Sequence, residues 1–175
     1  MKNKGFTLIE LIATMVVLGI IMLIAIPNII GIVERNKRTA YVEDARRLVT
    51  LAEYRFRSDT SINLEDGQCI VMRLSFLDNG ELQAPPDGGD YLEDNSFVVI
   101  RRSGPNITYY VTLVEDLPNG NRNGVRLTPA VEIRRSDAIR LTDNPVVVNR
   151  VTVITPTVNQ AIPGVSCTPR AGQIF

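Results

Sequence analysis

Histidine is absent from this chain of 175 residues. That excludes catalytic triads built on imidazole, His-ligated metals and His proton shuttles. The 2 cysteines are too few for a thiolate zinc site. Lys and Arg together number 19 and so do Asp and Glu, so no global field favours nucleic acid as the main partner. Wholesale disorder is excluded as well, because 45% apolar and 22% charged residues are ordinary globular values. The length suits one compact domain plus one extended element. With no nucleophile–base pair and no phosphate loop in view, the chain reads as a non-enzyme needing no cofactor and no metal.

What the sequence does hold is a long uncharged run. From Leu11 to Ile26 no residue is charged, and Thr14 is the only polar one. Widening the window to Phe6–Val33 adds a single charge, Glu10. About 20 apolar residues suffice for a helix to cross the hydrocarbon of a bilayer, so this run is long enough. A short basic stretch, Met1-Lys2-Asn3-Lys4-Gly5, stands ahead of it. A secretory signal peptide would have a shorter apolar core and a small-x-small cleavage site. Here the run flows into Pro27-Asn28-Ile29-Ile30-Gly31 instead. A plain anchor with Lys2 and Lys4 in the cytoplasm fits the hydropathy. It leaves Glu10 unexplained, since a carboxylate inside a spanning helix costs about 2.5–3.5 kcal/mol on insertion scales.

The residues Gly5-Phe6-Thr7-Leu8-Ile9-Glu10 resemble the prepilin peptidase site of type IV pilins and type II secretion pseudopilins. In that family a basic leader ends in glycine, phenylalanine usually follows, and a glutamate comes four positions later. Pro27 falls where the family commonly has a helix-kinking proline, and the likeness extends over roughly residues 1–56. It implies cleavage after Gly5 and methylation of the new amine on Phe6. It also implies an assembly role for Glu10, whose carboxylate would meet the Phe6 amine of a neighbouring subunit. Each charge is costly alone in a low dielectric, and pairing offsets much of that. The bland alternative has Glu10 snorkelling to the headgroups.

On this resemblance the chain is a pilin, a structural subunit that polymerises through its N-terminal helix into a surface fibre. The implied partners are further copies of itself, the prepilin peptidase, an assembly ATPase and a platform protein. The precursor would be a single-pass protein of the cytoplasmic membrane with its N-terminus inside, later exported into a cell-surface fibre. Two alternatives stay open: a pseudopilin of a secretion or DNA-uptake machine, and a tethered adhesin or ligand-binding protein that never polymerises.

The organisation expected is a leader at 1–5, a transmembrane and assembly helix at 6–33, its amphipathic continuation at 34–57 and an extracytoplasmic head at 58–175. In the continuation Tyr41, Ala45, Leu48, Ala52 and Phe56 recur at helical spacing, and Val42 and Val49 widen the stripe. Proline removes a backbone donor and glycine weakens a helix, so Pro27 and Gly31 predict a kink or a locally melted turn. Beyond Ser58 the pattern turns to strands. Phe97–Ile100 and Tyr109–Val114 flank the turn Ser103-Gly104-Pro105-Asn106 and make the clearest pair. Val125–Arg134 and Val146–Ile154 are further strand candidates, and Cys69–Leu77 reads as a strand or a short helix. The fold class expected is therefore α+β, pilin-like, with the helix stripe covering one face of an antiparallel sheet of about four strands.

Outside the cytoplasm disulfides persist, so Cys69 and Cys167 read either as a joined pair or as two buried thiols that never meet. Closure of so long a loop carries about 4–5 kcal/mol in the chain-entropy account. Segment 34–57 holds 7 basic and 4 acidic residues, while 58–175 holds 10 and 14. Solvated faces explain this most simply; contacts between basic necks and acidic heads are the sharper reading. With one flanking aromatic at most, the basic stretch ranks nucleic acid last among the partners. The acids Asp87, Asp90, Glu93 and Asp94 lack the EF-hand spacing, and no metal is assigned to them.

Overall fold

A computed structural model describes residues 6–77, 80, 82–134 and 147–175. The chain divides into two compact units, Met1–Asn36 and Lys37–Phe175. One helix, α1, is assigned over Leu8–Ser58 and contributes to both.

In the first unit α1 is apolar on every side. Its best 18-residue window has a mean hydropathy of 2.8 and is 0% buried. Helical assignment continues through Pro27 and Gly31, so the turn at 25–31 is not melted. The few polar side chains in this stretch bond to their own backbone. Thr14 Oγ1 donates to the Leu11 carbonyl at 2.8 Å, and Asn28 Nδ2 donates to the Ile24 carbonyl at 3.1 Å. A greasy helix thereby exposes almost no unsatisfied polarity, as a bilayer demands.

In the second unit the same helix turns amphipathic and buries Tyr41, Val42, Asp44, Ala45, Leu48, Val49 and Ala52. It ends at Ser58, where Asp59 accepts hydrogen bonds from the amide and hydroxyl of Ser61. Then follow β1 (Cys69–Arg73), the one-turn α2 (Leu74–Leu77), the two-residue β2 (Asp90–Tyr91), β3 (Phe97–Ser103), β4 (Asn106–Asp116), β5 (Arg122–Pro129), the short α3 (Ala130–Arg134) and β6 (Val147–Asn149). The antiparallel sheet runs β1-β3-β4-β5-β6, with β2 paired to the far end of β4. Among the described residues it has six strands where about four were expected, in the α+β layout foreseen.

The β3–β4 hairpin has the expected turn: Ser103 pairs with Asn106 and Gly104 takes φ 58°. A positive φ followed by proline's fixed negative φ suits the right-handed twist of the strands. Cys69–Leu77 resolves into both alternatives, strand first and helix after. Two strand expectations need correction. Val125–Arg134 is strand only to Pro129, whose ring cannot donate onward, and Ala130–Arg134 is helical. Of Val146–Ile154, Val146 lies outside the described residues and the strand covers only Val147–Asn149. Arg150 stops it by adopting φ 62°, which breaks the pleat.

Side chains alternate across the sheet as strand geometry requires. Ile70, Met72, Val98, Ile100, Val111, Leu113 and Val125 face α1 and form the larger core. Val71, Phe97 and Val99 point the other way and pack with Cys69, Ile162, Val165 and Cys167. The helix covers one face as expected, and the C-terminal segment covers the other. That segment also pairs with the edge of β1: Val71 N–H donates to the Gln173 carbonyl and Phe175 N–H to the Val71 carbonyl, 2.8 and 2.9 Å. Phe175 packs on Phe76, ring centroids 5.3 Å apart.

Candidate functional site

The tip of α1 gathers the residues that carry chemistry. Gly5 and the leader lie outside the described residues; Phe6 is 89% exposed and precedes the first helical turn. Thr7 sits at the N-cap and Glu10 three residues on. The Thr7 amide donates to Glu10 Oε2 at 2.9 Å, and the Thr7 hydroxyl donates to the same oxygen at 2.8 Å. The Glu10 amide donates back to Thr7 Oγ1 at 3.4 Å. This is a capping box, two orphan donors at the helix start satisfied reciprocally. A negative carboxylate here also complements the positive end of the helix dipole. The signature Thr-x-x-Glu ahead of an apolar run was in the sequence and was missed.

Around this tip the surface is wholly apolar. Leu8, Ile9, Leu11, Ile12, Met15, Val16 and Val17 are all more than half exposed. Such a surface has no stable place in water. Pro27 and Gly31 lie farther along the same exposed stretch, and a Cβ at Gly31 would meet nothing within 4 Å.

A second polar constellation, unforeseen, lies inside the head. Asp87, on the Pro85-Pro86-Asp87-Gly88-Gly89 turn, accepts from Lys37 Nζ at 2.6 Å, from the Tyr41 hydroxyl at 2.7 Å and from Asn123 Nδ2 at 2.8 Å. Fully buried Glu115 accepts from the Gly89 amide at 2.7 Å and is hydrogen-bonded to the Tyr41 hydroxyl. Nearby, the Tyr91 hydroxyl donates to buried Asp44 at 2.8 Å. Burial opposes ionisation of Asp87, but the donors Lys37, Asn123 and Tyr41 outweigh it and hold the carboxyl below its usual range. At Asp44 burial prevails over the Tyr91 hydrogen bond and the charge of Arg47, and the carboxyl is pushed up. Burial and the neighbouring carboxylates push both phenols upward, so Tyr41 and Tyr91 stay neutral donors. A signal existed for Glu115: it shares the inward phase of β4 with Val111 and Leu113.

This network joins α1 to a turn, to β2, to β4 and to β5, and its acids already have protein donors. It therefore holds parts together and leaves Asp87 no free carboxylate for a cation. Among the described residues no group of three or more His, Cys, Asp or Glu is placed to hold a metal. Cys69 and Cys167 are joined as a disulfide, Cα atoms 6.0 Å apart.

Comparison with known proteins bears on the tip alone. No curated protein and no solved structure matches the chain significantly. Residues 1–26 match the family described as the prokaryotic N-terminal methylation motif. That stretch includes Gly5, Phe6, Thr7 and Glu10 and most of the exposed apolar helix. The chain thus carries the N-terminal signature of type IV pilins and pseudopilins, which marks a pilin-like substrate of a prepilin peptidase.

Proposed function

We propose that this chain is a structural pilin, cleaved after Gly5 and polymerised through α1 into a type IV pilus-like fibre. The observation that carries the reading is the tip of α1. Its one acidic side chain, Glu10, sits at the start of an uncovered stretch of helix that carries no other charge as far as Val33. In a bilayer lipid covers that surface; after extraction only other copies of the same helix offer an equal apolar area. Cleavage would place a positive amine on Phe6, one helical turn from Glu10. Within a bundle of such helices the amine of one copy and the Glu10 carboxylate of another neutralise each other, which fixes their axial register. Among the described residues Glu10 is held by its own Thr7, a partner that a neighbour's amine can replace.

On this reading Gly5 and Phe6 are the processing site, Glu10 the register group, and Pro27 and Gly31 the point where the helix can bend. Leader 1–5, assembly helix 6–33, its continuation 34–57 and head 58–175 are the working parts. An ATPase and a membrane platform supply the energy and the base for extrusion. The test is electron microscopy of sheared surface filaments, with mass spectrometry of their subunits. Filaments made of this chain beginning at a methylated Phe6 support the reading. Mature chain found only in the membrane fraction overturns it in favour of a tethered protein, and short periplasmic assemblies would assign it to a pseudopilus.

A further inference from the structure

The C-terminal segment covers the second face of the sheet without being part of the sheet. Residues 150–175 contain no helix or strand, and their one ladder contact is the parallel bridge between Ile174 and Val71. The two ends of the segment are well tied. At one end Val151 N–H donates to the Arg122 carbonyl at 2.8 Å, Asn95 Nδ2 to Thr155 Oγ1 at 2.8 Å, and Arg73 Nη2 to the Pro156 carbonyl at 3.3 Å. At the other end residues 173–175 pair with β1.

The middle is different. Among the described residues, the hydrogen bonds of residues 157–172 stay within the C-terminal segment: Asn159 N–H to the Pro169 carbonyl, Ile162 N–H to Cys167, Val165 N–H to Ile162, Cys167 N–H to Val165, the Thr157 hydroxyl to Gln160, and a reciprocal pair between Arg170 and Gln173. In this stretch Ile162, Val165, Cys167 and Pro169 are buried, and the first three share a cluster with Val71, Phe97 and Val99, to which the Cys69–Cys167 bond ties them. Beneath it lie Val71, Phe97 and Val99, each 0% exposed. The core between α1 and the sheet has no such dependence, since it is built from α1 and a continuous strand ladder.

We infer that the Cys69–Cys167 bond is a redox-sensitive clasp: its reduction releases residues 157–172 from the sheet and uncovers Val71, Phe97 and Val99, while the helix-facing core stays folded. A few apolar side chains, with no hydrogen bond from this stretch to a strand, are a weak hold against the chain entropy of sixteen residues. The bond offsets part of that entropy by closing the loop in the unfolded reference. The chemistry is ordinary exchange. One thiolate of a dithiol reagent attacks a sulfur of the bond, giving a mixed disulfide and one free protein thiolate. The reagent's second thiolate then displaces the other cysteine, so two electrons pass to the protein and the reagent leaves as a cyclic disulfide. An open clasp presents an apolar sheet face that a closed one hides, so the thiol state of the compartment decides which surface the head shows.

The test is hydrogen exchange of the full chain in detergent micelles, before and after dithiothreitol, with alkylation to count thiols. Amides of Asn159, Ile162 and Cys167 should exchange at least tenfold faster after reduction, while peptides from 41–52 and 97–115 keep their rates. The double variant Cys69→Ala/Cys167→Ala, untreated, should reproduce the reduced pattern. Unchanged exchange at 157–172 with both thiols free would overturn the clasp, because packing alone would then hold the segment. Loss of protection in both regions together would overturn it too, as would a bond that dithiothreitol cannot open in the folded head. None of these outcomes depends on whether the chain forms fibres.

Discussion

Thr7 and Glu10 cap each other at the start of α1, through a 2.8 Å bond from the threonine hydroxyl and a 2.9 Å bond from its amide. The glutamate thus has a structural partner on its own chain before any neighbour arrives. Thr7→Ala removes the hydroxyl that accepts the Glu10 amide, a loss of about 1 kcal/mol at the helix start. NMR in micelles should show the turn 8–11 fraying in that variant, with unchanged shifts beyond Thr14. Full order at 8–11 would mean the cap is not what starts the helix.

Asp87 gives the head an acid-sensitive joint. Its folded value lies below its unfolded one, so its contribution is present above the unfolded range near pH 4 and is lost as pH falls below it. The groups facing it are Lys37 and Tyr41 from α1, Asn123 from β5, and Glu115 through the shared Tyr41 hydroxyl. Asp87→Asn should lower head stability by about 1.5–3 kcal/mol at pH 7, discounted because Lys37 is 37% exposed. The gap between the thermal melts of the two proteins should shrink steadily as the pH drops below 4. A gap that does not change with pH would show that shape, not charge, makes the joint.

Asp44 should behave in the opposite sense. Burial raises its value in the folded state, so its contribution is largest at low pH and is lost as pH rises through that folded value. Asp44→Asn keeps an acceptor for the Tyr91 hydroxyl and removes the buried charge. The variant should be more stable than the parent at pH 7, by up to about 1 kcal/mol, and the gain should vanish toward pH 3. A destabilised variant at neutral pH would show that Arg47 draws more from the charge than burial costs.

The glycines of the 85–89 turn differ in what they permit. At Gly89 an added Cβ would overlap the Asp116 carbonyl oxygen and lie 3.0 Å from Glu115 Oε1. At Gly88 space is open but φ is +83°. Gly88→Ala should cost about 1–2 kcal/mol, the left-handed penalty. Gly89→Ala should cost about 1–3 kcal/mol as overpacking and more where it pulls Gly89 N–H from Glu115. Equal melting temperatures for the two variants would count against this difference.

The long helix and its stripe were legible because a period near 3.6 sustained from Tyr41 to Phe56 leaves little choice. The central hairpin was legible from Gly104-Pro105 between apolar runs. The covering of the second sheet face was not, although Phe97-Val98-Val99-Ile100 gave a hint. A run without alternation suits a strand buried on both sides, yet no local pattern says what covers the far side. Residues 150–175 carry no period because they form no regular element. The methylation signature of the N-terminus was legible as Gly-Phe-x-x-x-Glu. Its partner Thr7 went unread, and so did the Asp87 network, which unites residues from α1, a turn, β2, β4 and β5 that only the fold brings together.

Glu10→Gln separates the two roles of the tip. Glutamine at the third helical position can still serve a capping box, so the helix start should hold. It cannot neutralise the amine that the proposed cleavage would create on Phe6. Membrane insertion should be undiminished, since an intramembrane carboxylate is the costlier group, and processing after Gly5 should continue. A buried charge stripped of its partner costs about 3–5 kcal/mol, repeated at each subunit of a fibre. Sheared fibre from Glu10→Gln and from Glu10→Ala should therefore fall by at least tenfold, while Thr7→Ala, which keeps the carboxylate, should stay within about twofold of the parent. The readout is the ratio of sheared to membrane-retained mature chain, with each variant as the only copy. If Glu10→Gln assembles normally and Thr7→Ala does not, the cap rather than the charge controls assembly, and the axial register has another source.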